Sequence, residues 1–178
     1  METLVTTYLE MRSPNELRKP ARELSAEQLE VRELIAPNWS FNREMYFKVG
    51  EPWRWIDKRP WTDEQWRDYA TDPNLRTYAG YANGKLAGYY ELHRSPEDGT
   101  EIAYFGLLPE FVGRGIGSAL LTSAVENAWR WEPAPSRVWV HTCNRDHPHA
   151  LANYAARGFE IYKIEREAPS SRVASDFV

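Results

Sequence analysis

The chain has 178 residues, 42% of them hydrophobic and 27% charged, with a formal net charge of -4. That suits one domain with a real core, and it lacks the basic balance of a nucleic-acid binder. No apolar run approaches the ~20 residues that span a bilayer, the opening METLVTTYLEMR lacks a signal peptide's basic-then-apolar order, and the single cysteine, Cys143, fits a reducing, cytoplasmic compartment.

The first predicted element is a strand, LVTTYLEM, from its β-branched and aromatic content. Ser25-Ala26-Glu27-Gln28 has capping-box spacing, and Leu29, Leu34 and Ile35 then recur at helical period, which predicts a helix ending at Pro37. A short helix through NREMYFKVG is expected to close at Gly50. Thr62-Asp63-Glu64-Gln65 repeats the capping box and starts a helix carrying Trp66 and Tyr69. The turn cluster Thr71-Asp72-Pro73-Asn74 separates this aromatic part, residues 1–74, from an alternating part, residues 75–166.

In the second part LRTYAGYA and KLAGYYELH flank Asn83-Gly84, a strong hairpin signal. EIAYFGLL is a third strand, antiparallel to the second. From about Gly115 to Trp131 a helix carries Ile116, Leu120, Leu121, Ala124, Val125 and Ala128 on one apolar stripe. SRVWVHT reads as a buried strand. A further helix opens at Asp146 or His147 and closes at Gly158, and FEIYKIERE is a last strand. Residues 167–178 are small and polar and read as a tail.

The informative stretch is EIAYFGLLPEFVGRGIGSALL, a strand, a glycine-rich turn and a helix N-terminus. Glycines let a ligand approach the backbone closely, and the first N–H groups of a helix have no intrahelical acceptor. Gly113, Gly115, Gly117 and the amides of Arg114, Ile116 and Ser118 therefore read as a phosphate or pyrophosphate cradle. A Walker A loop would need lysine between Gly117 and Ser118. A dinucleotide fingerprint would want glycine or alanine at Ser118, and Glu132 stands in a turn where that fold needs an acidic strand end.

The window Val112-Gly113-Arg114-Gly115-Ile116-Gly117 resembles the signature of the GCN5-related N-acetyltransferase superfamily, Arg/Gln-x-x-Gly-x-Gly/Ala, with Val112 in the first position. Downstream, Asn144 near a strand end and then Asn-Tyr-Ala-Ala-Arg-Gly-Phe resemble the family's Leu-Tyr-x-x-x-Gly-Phe ending, with Tyr154, Gly158 and Phe159 in register. The resemblance covers about residues 75 to 166. It implies an α/β fold: one domain with a mixed, mostly antiparallel central sheet flanked by helices on both faces, its middle strands splayed to admit coenzyme A. It also implies acetyl transfer from acetyl-coenzyme A as co-substrate to an amine, by direct attack, so that Cys143 is not needed as a nucleophile.

Carried onto this chain, the resemblance makes Tyr154 the acid toward the coenzyme A sulfur. Asn144 and the backbone of Leu107 and Leu108 become partners of the pantetheine amides. Glu101 is the candidate base, because it begins the strand leading into the glycine loop. On an alternating strand Glu101, Ala103, Phe105 and Leu107 share one face. Glu91 and His93 stand in reserve. His141, His147 and His149 match no familiar zinc spacing, so no metal is expected.

Among eight tryptophans, Trp129, Trp131 and Trp139 read as packing. Trp39, Trp53, Trp55, Trp61 and Trp66 precede the coenzyme-binding part, where they either fill a thin core or line an acceptor pocket for an aromatic or cationic amine, with Asp57, Asp63 and Glu64 nearby. The expected partner is a small-molecule amine, with no nucleic acid and no membrane. A protein or peptide amine, a silent acyl-coenzyme A sensor and a homodimer stay open.

Overall fold

The computed structural model describes residues 3–168. The elements are, in chain order, β1 (Leu4–Met11), β2 (Glu30–Glu33), α1 (Trp39–Gly50), α2 (Asp63–Ala70), β3 (Leu75–Ala82), β4 (Lys85–Ser95), β5 (Gly99–Leu107), α3 (Ile116–Arg130), β6 (Val138–Cys143), α4 (Ala150–Ala156) and β7 (Glu160–Glu167). The strands form one seven-stranded sheet in the order β2-β3-β4-β5-β6-β1-β7. From residue 169 onward the tail lies outside the described residues. Among the described residues no helix is long and apolar enough to cross a membrane.

Most of these elements arise where local chemistry dictates them. Asn83 and Gly84 both take positive φ, 49° and 75°, the backbone that a two-residue hairpin requires. At the start of α2 the Thr62 hydroxyl accepts from Gln65 N, and Thr62 N donates to the Gln65 side chain, so the box closes reciprocally. The stripe read on α3 is buried residue for residue, from Ile116 to Ala128. From Leu120 onward it packs with Tyr154 and Phe159 against Leu9, Tyr90, Leu92, Ile102 and Val140 on one sheet face, while Ile116 joins the other core cluster. On the other face Met45 and Val49 of α1 meet Ala87 and Tyr89 of β4.

Residues 29–35 are a correction. The Ser25 box does form, with Ser25 N donating to Gln28 Oε1 at 3.0 Å and Leu29 N closing one turn onto Ser25 O at 2.9 Å. The chain then extends as β2, pairing Glu30↔Tyr81 through Glu33↔Tyr78 on the edge of β3. A helix there would have to bury Ile35, which is 93% exposed, whereas the strand packs Val31 on the core. Edge pairing outweighs a local capping signal. The last helix, α4, starts at Ala150, later than Asp146 or His147, and Gly158 ends it as expected at φ 104°.

Two irregularities in the sheet create the site. All neighbouring strands run antiparallel except β5 and β6, which run parallel and pair only at Thr100↔Val138 and Glu101↔Trp139. Past that point they part. In addition, β4 and β5 slip register between Glu91↔Tyr104 and Leu92↔Ile102, which bulges β5 at Ala103.

The bulge resets the faces of β5. Glu101 does not share a face with Phe105 and Leu107; its face continues at Tyr104 and Gly106. Tyr104 packs edge-on to Tyr46 at 5.4 Å, and a Cβ on Gly106 would strike Val49 of α1 at 2.3 Å. Phe105 faces the opposite side, toward Tyr154 at 6.4 Å.

Candidate active site

The parting of β5 and β6 opens a cleft of about 800 Å³. Its floor is Ile102 to Leu107, and one wall is Val112, Gly113, Gly115, Gly117 and Ser118. The other walls come from Trp53 to Asp57, from Val140 to Cys143, and from Tyr154 and the loop before α4.

The glycine wall has the backbone geometry that an anion cradle would need. Gly113 and Gly115 sit at φ 80° and 78°, where L side chains are strained, and a Cβ on either would meet open space rather than protein. Gly115 stands at the N-cap of α3, and no side chain caps that helix, so its first N–H groups face the cleft without a side-chain acceptor. Ile116 is buried and anchors the turn, while the Arg114 guanidinium lies 5.5 Å over the Phe111 ring. Gly115→Val would impose about 1–3 kcal/mol of backbone strain at the cradle. It is expected to raise the coenzyme A dissociation constant tenfold or more, read by calorimetry.

The backbone at the end of β5 is divided. Leu108 N donates to Ala87 O at 2.8 Å and Leu108 O accepts from Phe111 N at 2.9 Å, so both of its polar groups are engaged. Successive residues of a strand direct their backbone groups to opposite edges. Leu107 accordingly presents its own toward the gap. Asn144 lies at the end of β6, with Oδ1 accepting from Val5 N and Nδ2 donating to Thr3 O, both at 3.0 Å.

Tyr154 reaches the cleft from α4. It is 7% exposed, its ring is held by Phe105 and Phe159, and burial pushes its hydroxyl pKa up. It therefore stays protonated through the neutral range. Cys143 also lines the cleft, and burial pushes its thiol pKa up, away from nucleophilic thiolate.

Glu101 directs its Oε1 at His141 Nδ1, 3.1 Å away. His141 lines the cleft; Glu101 stands behind it, its side chain 19% exposed against 45% for the imidazole. The hydrogen bond that the Glu101 carboxylate accepts raises the His141 pKa, and burial opposes it. Sequence reasoning did not single out this pairing, because only the parallel contact of β5 with β6 reveals it.

The reserve acids lie elsewhere. Glu91 is fully buried beneath Asn42 Nδ2, at 2.7 Å, and the Tyr69 hydroxyl, and burial raises its pKa. His93 Nε2 meets Asp72 at 3.2 Å.

The early tryptophans have separate roles. Trp53 and Trp55 line the cleft, and Trp53 packs on His147 at 5.0 Å across it. Trp66 is core. Trp39 carries the Arg67 guanidinium at 4.9 Å. Trp61 and Tyr69 cage a cation, but it is the chain's own Lys58, whose ammonium lies 3.7 Å and 4.1 Å from those rings. Burial lowers the Lys58 pKa.

Tyr46 holds the segment between α1 and α2 in place: its hydroxyl donates to Asp57 Oδ1 at 2.7 Å and accepts from Lys58 N at 3.1 Å. Asp57 also accepts from the Tyr104 hydroxyl at 2.8 Å. Tyr46→Phe orphans the buried Lys58 N–H and is expected to cost about 1–3 kcal/mol. A thermal melt reads that loss, and a raised KM for the amine reads the loosened wall.

The sequence pattern of the acetyltransferase (GNAT) family matches residues 30–159. An uncharacterized N-acetyltransferase of Mycobacterium tuberculosis is 31% identical over 94 residues, 53% of this chain and 58% of that one. The S-alkylcysteine N-acetyltransferase of Bacillus subtilis is 33% identical over 73 residues, 41% of each chain. This chain thus covers 58% and 41% of the length of these two curated relatives. Among solved structures, a GCN5-related N-acetyltransferase from Kribbella flavida superposes with a TM-score of 0.64 at 16% identity, over 96% of this chain and 60% of that one. An aminoglycoside acetyltransferase from an uncultured soil metagenomic sample, in complex with sisomicin, superposes with a TM-score of 0.57 at 14% identity, over 74% and 87%.

Proposed function

The chain belongs to the acetyltransferase (GNAT) family, and from that membership we propose that it transfers an acetyl group from acetyl-coenzyme A to an amine of a small molecule by direct attack. The observation that carries this reading is the cleft at the β5–β6 divergence. It joins an uncapped helix N-terminus, a tyrosine hydroxyl and an imidazole backed by a carboxylate.

The residues fit the coenzyme. Gly113 to Ser118 would hold the pyrophosphate through backbone N–H groups and the dipole of α3, a favourable field of about 0.3–1 kcal/mol per exposed contact. The backbone of Leu107 would pair with the pantetheine arm as an added strand would. When bound, the thioester supplies the acyl group. The reaction then needs a proton acceptor for the amine and a proton donor for the sulfur. The Glu101–His141 pair serves the first need and Tyr154 the second.

A small acceptor is favoured because Trp53, on the wall from Trp53 to Asp57, meets His147 on the opposite side and narrows the cleft there. Residues 1–74 then choose the amine, and residues 75–166 hold the coenzyme. A free-thiol assay with acetyl-coenzyme A tests this across small amines, amino acids, aminoglycosides and lysine peptides. Thiol release with a small amine is expected. Release with peptides alone would reassign the acceptor, and coenzyme binding without release under any amine would identify a silent sensor.

A further inference from the structure

We propose that His141 is the catalytic base of this site, its Nε2 taking the proton of the attacking amine, and that Glu101 is a positioning residue that orients the imidazole. The inference rests on the acetyl-transfer reading and assigns its proton acceptor to one atom.

The geometry follows from the sheet. The last parallel pair of β5 and β6 is Glu101↔Trp139. Two residues further along β6, on the same face as Trp139, His141 stands where the strands have parted. Its ring is packed by Tyr8 at 5.6 Å and Trp139 at 6.2 Å, which fixes its plane. A carboxylate only accepts hydrogen bonds, so Nδ1 carries the proton directed at Glu101 and Nε2 keeps its lone pair. Glu101 itself is set behind the ring with one oxygen engaged, and the imidazole is the more exposed of the two in the cleft.

The step balances without a further reactant. The amine nitrogen bonds to the thioester carbon as the carbon–sulfur bond breaks, and the amine proton passes to Nε2. The leaving sulfur takes a proton from the Tyr154 hydroxyl, and the imidazolium returns a proton to the phenolate through water.

The charged groups around His141 come from every neighbouring element. Glu101 approaches from β5 and is itself faced by Lys58, Asp57 comes from the α1–α2 segment, and Asp146 and Arg145 come from the loop before α4. Tyr8 of β1 is backed by Glu165 and Lys163. The raised His141 pKa predicts a rate that climbs as pH rises through a value above the ordinary 6.5.

Imidazole proton NMR on the whole chain, with the His141 signal assigned by its loss in His141→Ala, reads that titration independently of turnover. Glu101→Gln is expected to move the NMR titration and the acidic limb of kcat/KM to lower pH together, with turnover reduced less than tenfold. His141→Ala should lose the limb and about 100-fold in kcat/KM, in part restored by added imidazole. A Glu101→Gln variant that loses the limb while His141→Ala keeps it makes Glu101 the base and overturns the proposal. Should the wild type release no thiol with any amine, the acetyl-transfer reading fails too. Limbs that do not follow the NMR titration, with thiol release intact, overturn only the assignment to His141.

Discussion

Replacing Tyr154 with phenylalanine is expected to lower kcat by about 100-fold or more with little change in melting temperature. A positioned general acid contributes roughly 100- to 10,000-fold. The ring contacts with Phe105 and Phe159 survive in phenylalanine, and the described residues give the hydroxyl no hydrogen-bond partner to be orphaned. Removing it should leave the core intact while taking away the proton for the leaving sulfur. A melt that falls with kcat unchanged would make Tyr154 a packing residue alone.

The second large effect is on stability, at Gly158→Ala. Gly158 takes φ 104°, and a Cβ there would lie 2.0 Å from Glu16 O. Backbone strain and overpacking each cost about 1–3 kcal/mol. The sum is expected to lower the melting temperature by roughly 10 °C for a chain of this size. The glycine is thus needed for the close approach of the α4 end to the residue 14–16 turn, and a differential scanning measurement checks it. A variant that melts with the wild type would contradict that contact.

The two glycine features that pointed to the family in the sequence prove to have different physical work. Gly113 and Gly115 face open space in the cleft, while Gly158 is pressed against backbone. Motif spacing alone does not distinguish a ligand-facing glycine from a packing one; the space around the absent Cβ does.

Where local chemistry decides structure, the sequence was legible. The Asn83-Gly84 hairpin, the α2 capping box and the α3 stripe all depend on residues within a few positions of one another. The reading failed where distant partners decide. The Ser25 box specifies one turn, and only the edge of β3 draws Glu30 to Glu33 into a strand. Period-two alternation along β5 predicted the wrong face for Glu101 because the bulge at Ala103 is set by register with β4.

The site shows the same division. The cradle and Tyr154 were visible as motifs, since each sits on one element. The Glu101–His141 pair was not, because 40 residues separate its members and only the parallel contact joins them. Lys58 was missed as well. Its cage takes Trp61, Tyr69 and Tyr104 from three segments, and a lysine among aromatics has no sequence signature of its own.

On the proposed function, coenzyme A binds where β5 and β6 part, with its pyrophosphate on the backbone of the glycine turn. Backbone amide NMR of the nitrogen-labelled chain during titration with coenzyme A tests it most directly. Saturating shifts are expected at Gly113 to Ser118 and at Leu107, with the edge strands β2 and β7 unmoved. Shifts centred elsewhere, or a glycine turn that stays unperturbed at saturation, would contradict it.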